Sequence, residues 1–133
     1  MPIYRAPVED VQFLLNDVFQ FDNYNNLPGF SDASADVREA IIGEAAKFTE
    51  DVLQPLNRSG DLEGCTHHDD CRVTTPKGFR EAYQQLGEGG WLGLVAPAEY
   101  GGGGLAGSVG PGGQGMAKFT QTGICVYPPP EGG

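Results

Sequence analysis

The side chains best equipped for chemistry lie in one short stretch, Cys65-Thr66-His67-His68-Asp69-Asp70-Cys71. Thiolate and imidazole close together suit zinc. Structural zinc sites, however, pair their ligands on a knuckle and repeat the pair elsewhere, and the chain has no second cluster of Cys and His. The spacing therefore predicts a solvated loop and no metal ligand. The same residues offer a Cys/His nucleophile pair. Such a nucleophile needs a stabilised thiolate and a base held in a pocket. Asp69 and Asp70 beside the thiols disfavour the thiolate. The third cysteine, Cys125, stands alone in sequence.

Gly102-Gly103-Gly104-Leu105-Ala106-Gly107 matches the dinucleotide fingerprint G-x-G-x-x-G letter for letter. That pattern binds a pyrophosphate only where a strand feeds it and a helix N-terminus follows. Here Ser108-Val109-Gly110-Pro111-Gly112-Gly113 follows, a poor start for any helix, and the next acid is Glu131, beyond the usual ribose ligand. The chain has no G-x-x-x-x-G-K-[ST] phosphate loop. On motifs alone, no catalytic, cofactor-binding or metal residue is assigned.

The elements that would have to position a site are legible in the apolar spacing. Val8, Val11, Leu14, Leu15, Val18 and Phe19 predict a helix over 7–21, with Pro7 in its first turn and Glu9 and Asp10 at the positive end of the dipole. Asn25-Asn26-Leu27-Pro28-Gly29 breaks it. Val37, Ile41, Ala45, Phe48 and Val52 predict a second helix over 34–53. Asp36 and Glu39 have capping-box spacing, with Ser34 as a competing cap. Pro55 is expected to end this helix, and 56–72 to form a loop with a turn at Asn57-Arg58-Ser59-Gly60. Phe79, Ala82, Tyr83 and Leu86 predict a third helix that begins at Thr75 and Pro76 and stops at Gly89 and Gly90. Trp91-Leu92-Gly93-Leu94-Val95 is a short apolar run that suits a strand or, the preferred reading, an extended segment packed across the helices. The fold class is all-α.

The 133 residues amount to one domain, with net charge −10 from 18 acids against eight Lys and Arg. That field repels phosphate backbones and anionic lipid, so neither nucleic acid nor membrane is an expected partner. No apolar run is long enough to span a bilayer, and the N-terminus lacks the uninterrupted apolar core of a signal peptide. Three cysteines do not make a secreted disulfide framework. The expected location is the cytoplasm. Composition changes near Tyr100: residues 100–133 hold 12 of the 21 glycines and four prolines but only Lys118 and Glu131 among the charges. Glycine and proline both weaken regular structure, so a weakly ordered tail is expected.

Several stretches carry a resemblance to a known family: Met1-Pro2-Ile3-Tyr4-Arg5-Ala6-Pro7-Val8-Glu9-Asp10, Leu27-Pro28-Gly29-Phe30, Val52-Leu53-Gln54-Pro55-Leu56-Asn57-Arg58-Ser59-Gly60-Asp61, Glu63-Gly64-Cys65, Thr74-Thr75-Pro76-Lys77-Gly78-Phe79, Glu88-Gly89-Gly90-Trp91 and Glu99-Tyr100-Gly101-Gly102. They are long, ordered along the chain and cover nearly all of 1–105. The chain resembles the N-terminal part of acyl-CoA dehydrogenases, in the branch that includes 3-methylmercaptopropionyl-CoA dehydrogenases. The resemblance implies an N-terminal extension over 1–30, a partial N-terminal helical bundle domain over 31–105, and a Gly/Pro-rich degraded continuation over 106–133.

The family reaction is the α,β-dehydrogenation of acyl-CoA thioesters, in which a glutamate removes the α-proton as the β-hydride passes to FAD. The resemblance implies an acyl-CoA substrate and a homo-oligomer for the full-length enzyme. It places most of the flavin site and the catalytic glutamate in later domains, so it carries no site residue onto this chain, and no FAD is expected here alone. Gly110, Pro111, Gly112, Gly113 and Gly115 stand where the family has apolar residues, Ala or Glu. That departure leads to the expectation of a truncated or error-bearing gene product, inactive by itself. The alternative reading, from a different class, is a non-catalytic helical module that binds a protein partner through exposed apolar faces.

Overall fold

A computed structural model describes residues 3–27, 30–94 and 96–105. The expectations for 106–133, including Cys125 and Gly107, lie outside the described residues, as do Pro28, Gly29 and Val95.

The chain is mostly helical. Helix α1 (Val8–Phe13) continues as a π-helical turn over Leu14–Val18, and a 3-10 turn follows at Phe21–Tyr24. Helix α2 (Ala35–Phe48) runs through a second π-helical turn, Thr49–Leu53, into α3 (Gln54–Glu63). Strands β1 (Thr66–His67) and β2 (Val73–Thr74) make a small antiparallel pair in which Thr66 faces Thr74 and His67 faces Val73. Helix α4 (Phe79–Glu88) leads to 3-10 turns at Trp91–Gly93 and Ala98–Tyr100.

Several boundaries differ from the sequence expectation, each for a local reason. The second helix does not end at Pro55. The amide of Gln54 bonds to the Thr49 carbonyl, five residues back. This wide turn shifts the hydrogen-bond ladder just where proline brings no donor, and Pro55 sits in the first turn of α3. The expected loop and the Asn57–Gly60 turn are therefore helix as far as Glu63. Gly64, with φ of 64°, is the stop. The third helix starts later than expected. Gly78 takes φ of 89° at its N-cap, so Thr75 and Pro76 precede it. Gly89 and Gly90 end it as expected. The Trp91 segment is a 3-10 turn, not extended chain. Ser34 holds the N-cap of α2, and its side chain makes no capping hydrogen bond.

The buried stripe of α2 is also displaced from the expected one. The fully buried positions from α2 to the second π-turn are Arg38, Ile42, Ala45, Ala46, Thr49 and Leu53, while Val37 is exposed. The spacing is still helical, but it includes an arginine.

Among the described residues, three apolar clusters make up the core. Leu53, Ala82 and Leu86 join α4 to the end of α2, with Phe48, Val52, Leu56, Phe79 and Trp91 against them. Ile42, Ala45 and Ala46 receive Ala6, Val8, Val11, Leu15 and Trp91. Phe21 and Ala33 receive Leu15, Phe30, Ile41, Leu94 and Leu105. Trp91 and Leu15 each belong to two clusters and so connect all three. Phe21 stacks on Phe30 with ring centroids 4.9 Å apart.

Candidate functional site

The expected metal-ligand stretch is a hairpin tip. The His68 amide donates to the Arg72 carbonyl (2.9 Å), and the Cys71 amide donates to the His68 carbonyl (3.0 Å). Cys71 takes φ of 66°, and the Arg72 guanidinium meets the Asp70 carboxylate at 2.5 Å. His68 Nε2 lies 2.7 Å from the Thr74 hydroxyl, across the strand pair. The turn thus occupies the ring of His68 and the carboxylate of Asp70. Cys65 and Cys71 are free and exposed. Among the described residues, no group of three or more His, Cys, Asp or Glu stands close enough to hold a metal ion.

The glycine-rich stretch has its own geometry over residues 101–105. Gly102 donates to the Pro97 carbonyl, Gly103 to Gly93, Gly104 to Ala96 and Leu105 to Leu94, at 2.8 to 3.2 Å. A pyrophosphate cradle needs free amides pointing at the ligand. These four already donate to the chain's own carbonyls, so the stretch does not fit a dinucleotide phosphate. Its glycines serve close backbone approach: a Cβ on Gly103 would lie 2.6 Å from the Leu94 oxygen. Gly101, at φ of 84°, makes the turn that folds the stretch back.

The most connected polar centre is one that sequence reasoning passed over. Arg38 is 2% exposed. Its Nη1 donates to the Ala33 carbonyl at 2.7 Å. Its Nη2 donates to Asn16 Oδ1 at 2.8 Å and to Asp22 Oδ1 at 3.0 Å. Its guanidinium carbon lies 5.2 Å from the centre of the Phe21 ring. One side chain therefore ties α2 to the π-turn of α1, to the Phe21–Tyr24 turn and to the link before α2. Outside it is an open polar depression of about 330 Å³ lined by Asn16, Asp17, Gln20, Asp22 and Asn23. Two of those five are carboxylates, a poor lining for a phosphate-bearing cofactor. The available sequence signal was the 38-42-45-49-53 spacing, which puts Arg38 on the buried stripe.

A second polar contact fastens the N-terminal segment. Glu50 accepts from the Ala6 amide at 2.8 Å and pairs with Arg5 at 3.1 Å, and Gln54 accepts from the Tyr4 amide at 3.2 Å. Burial, and then the charge of Glu50, hold the Tyr4 phenol above its ordinary value. Neither centre pairs a nucleophile with a base, and both hold elements in place.

Comparison with known proteins gives the chain its relatives. Residues 35–111 match the acyl-CoA dehydrogenase N-terminal domain. Over 107 residues the chain is 36% identical to the 3-methylmercaptopropionyl-CoA dehydrogenase of Ruegeria pomeroyi. That alignment takes in 80% of this chain and 18% of the relative.

Proposed function

The chain belongs to the acyl-CoA dehydrogenase family, and on that premise we propose that it supplies the N-terminal helical domain of an enzyme that dehydrogenates acyl-CoA thioesters. The single observation that carries this reading is the domain match over 35–111, which falls on the α2–α4 core described above. The named relative supports a finer reading, with 3-methylmercaptopropionyl-CoA as the substrate, and membership of the family supports FAD as the cofactor of the whole enzyme. We divide the chain into an extension over 1–30, the domain proper over 31–105 and a continuation over 106–133, and we place it in the cytoplasm.

In this reading the contribution of the chain is shape. The core joined by Trp91 and Leu15 gives a packed helical wall, and Arg38 ties the extension to it. The described residues present neither a flavin cradle nor an acid–base pair, so no chemical step is assigned to them. These 133 residues alone are expected to bind no flavin and to show no turnover.

A chimaera tests the proposal. Residues 1–105 would replace the matching N-terminal residues of the Ruegeria enzyme. A yellow protein that oxidises 3-methylmercaptopropionyl-CoA is the expected result. A soluble, yellow chimaera that oxidises no acyl-CoA would overturn it, as would flavin bound by the 133-residue chain itself.

A further inference from the structure

The N-terminal extension is held to α2 in two chemically different ways. From Val8 onward the hold is apolar: Val8, Val11 and Leu15 pack on Ile42, Ala45 and Ala46. Asn16 and Asp22 then fasten the following turns to the buried Arg38. Ahead of Val8 the chain is a strap. Ile3, Arg5 and Pro7 are exposed while Tyr4 and Ala6 are half-buried, the alternation of extended chain lying on a surface. Its polar hold is on side chains. The Ala6 amide and the Arg5 guanidinium both end on the Glu50 carboxylate, and the Tyr4 amide ends on Gln54.

The joint between strap and helix is proline. Pro7 brings no amide, and the first bonds of α1 run from Val8 to the Ala6 carbonyl and from Val11 to the Pro7 carbonyl. The ladder of α1 therefore does not rest on residues 3–5, and the strap can leave the surface without unwinding the helix.

Two ionisations act on the seat of the strap. When Glu50 takes up a proton it loses the charge that holds Arg5, and one of its acceptor oxygens becomes a donor. Docking is thus present when the carboxylate is ionised and is lost as pH falls. The Tyr4 phenol works in the opposite direction. Its oxygen is buried without a hydrogen-bond partner among the described residues, and losing its proton would set a second negative charge against Glu50 in a desolvated place. Docking is present while the phenol is protonated and is lost as pH rises. Arg5 and Tyr4 face Glu50 from the strap. On the helix side Lys47 is turned to Glu44 at 2.6 Å, with Asp51 also acting on it.

We propose that residues 3–6 are a strap latched by the Glu50 carboxylate, closed while Glu50 is ionised and Tyr4 is protonated, which opens by itself in acid or in alkali while α1 stays packed on α2. The observation that carries this is the contrast between a titratable hold on the strap and an apolar hold on the helix. The inference does not depend on the enzymatic reading.

The test uses the 133-residue chain labelled on amide nitrogens and on the methyl groups of Ala, Val and Leu. The Ala6 methyl, seated on the Ile42 cluster, reads the strap by NMR, and the Val11 and Leu15 methyls read α1. Glu50→Gln keeps an acceptor oxygen but not the charge. At neutral pH it is expected to move the Ala6 methyl towards its unfolded-chain position and to speed Ala6 amide exchange about tenfold or more, with Val11 and Leu15 as in the wild type. In the wild type the Ala6 methyl should make the same move on acidification, and again above about pH 10. Tyr4→Phe should remove the alkaline step and keep the acid one. The wild-type titration keeps the proposal testable if Glu50→Gln does not fold. A strap still docked in Glu50→Gln, an acid step at Ala6 that survives in that variant, or release of Val11 and Leu15 together with Ala6 would overturn the proposal.

Discussion

The guanidinium of Arg38 is 2% exposed, whereas the Asp22 carboxylate 3.0 Å away is 63% exposed. The two halves of this ion pair should therefore answer differently to mutation. Removing the arginine strands the Ala33 carbonyl, whose residue is 0% exposed, and leaves Phe21 without its cation. An unsatisfied buried acceptor costs about 1–3 kcal/mol, and a lost cation–π contact adds up to about 1 more. Arg38→Ala is thus expected to lower stability by roughly 1–4 kcal/mol. Asp22→Asn should cost about 0.5–1 kcal/mol, because water replaces most of the exposed interaction. Urea unfolding of both variants measures the ratio, and equal losses would refute the asymmetry.

Glycines at two positions are expected to respond in opposite directions. Gly43 lies within α2 with open space where a Cβ would project. Gly43→Ala should stabilise by about 0.5–1 kcal/mol, through helix propensity and a less flexible unfolded chain. At Gly103 a Cβ would press on the Leu94 backbone oxygen. Gly103→Ala must open the stretch that returns Leu105 to the Phe21 cluster, and should cost about 2 kcal/mol or more. Thermal unfolding of the two variants, one rising and one falling in Tm, is the check.

How far the fold could be read from sequence depended on whether local rules met competition. The helices themselves were legible from apolar spacing, and Gly89 and Gly90 stopped α4 as glycines do. The register of α2 was not. Apolar spacing alone runs the stripe through Val37 and passes over Arg38, whereas tertiary partners from Asn16, Asp22 and Ala33 make Arg38 a core residue. Pro55 misled for a related reason, since a π-turn absorbed its missing donor. The same device on α1 turned Leu14, Val18 and Phe19 outward. Periodicity taken at 3.6 residues cannot anticipate a five-residue turn. The G-x-G-x-x-G match could be discounted from the residues that follow it, and the carbonyl partners of the Gly102, Gly103 and Gly104 amides add the structural reason.

Trp91 is the one tryptophan of the chain and packs against both the Leu53 and the Ile42 clusters. Its indole fluorescence should therefore report global unfolding. Trp91→Ala should cost about 3 kcal/mol, the usual loss for a large aromatic in a core, reduced because the side chain is only half-buried. Trp91→Phe should recover at least half of that loss. If Trp91→Ala unfolded at the wild-type urea concentration by circular dichroism, the two clusters would not depend on the ring.

The Tyr4 phenol gives the chain an alkaline limb whose direction is fixed by linkage. Burial and Glu50 raise its folded pKa above the ordinary 10.0. Below pH 10 the phenol is protonated in both states, so the full stability is present. As pH rises through 10 the unfolded chain releases this proton first, and stability falls until the folded phenol also ionises. Tyr4→Phe should remove this part of the decline. The Tyr4 oxygen is buried without a hydrogen-bond partner among the described residues. The same variant should therefore hold or gain up to about 1 kcal/mol at neutral pH. Urea midpoints of both proteins at neutral pH and above pH 10 separate the two effects; parallel pH profiles would mean that the phenol is as solvated in the native state as in the unfolded chain.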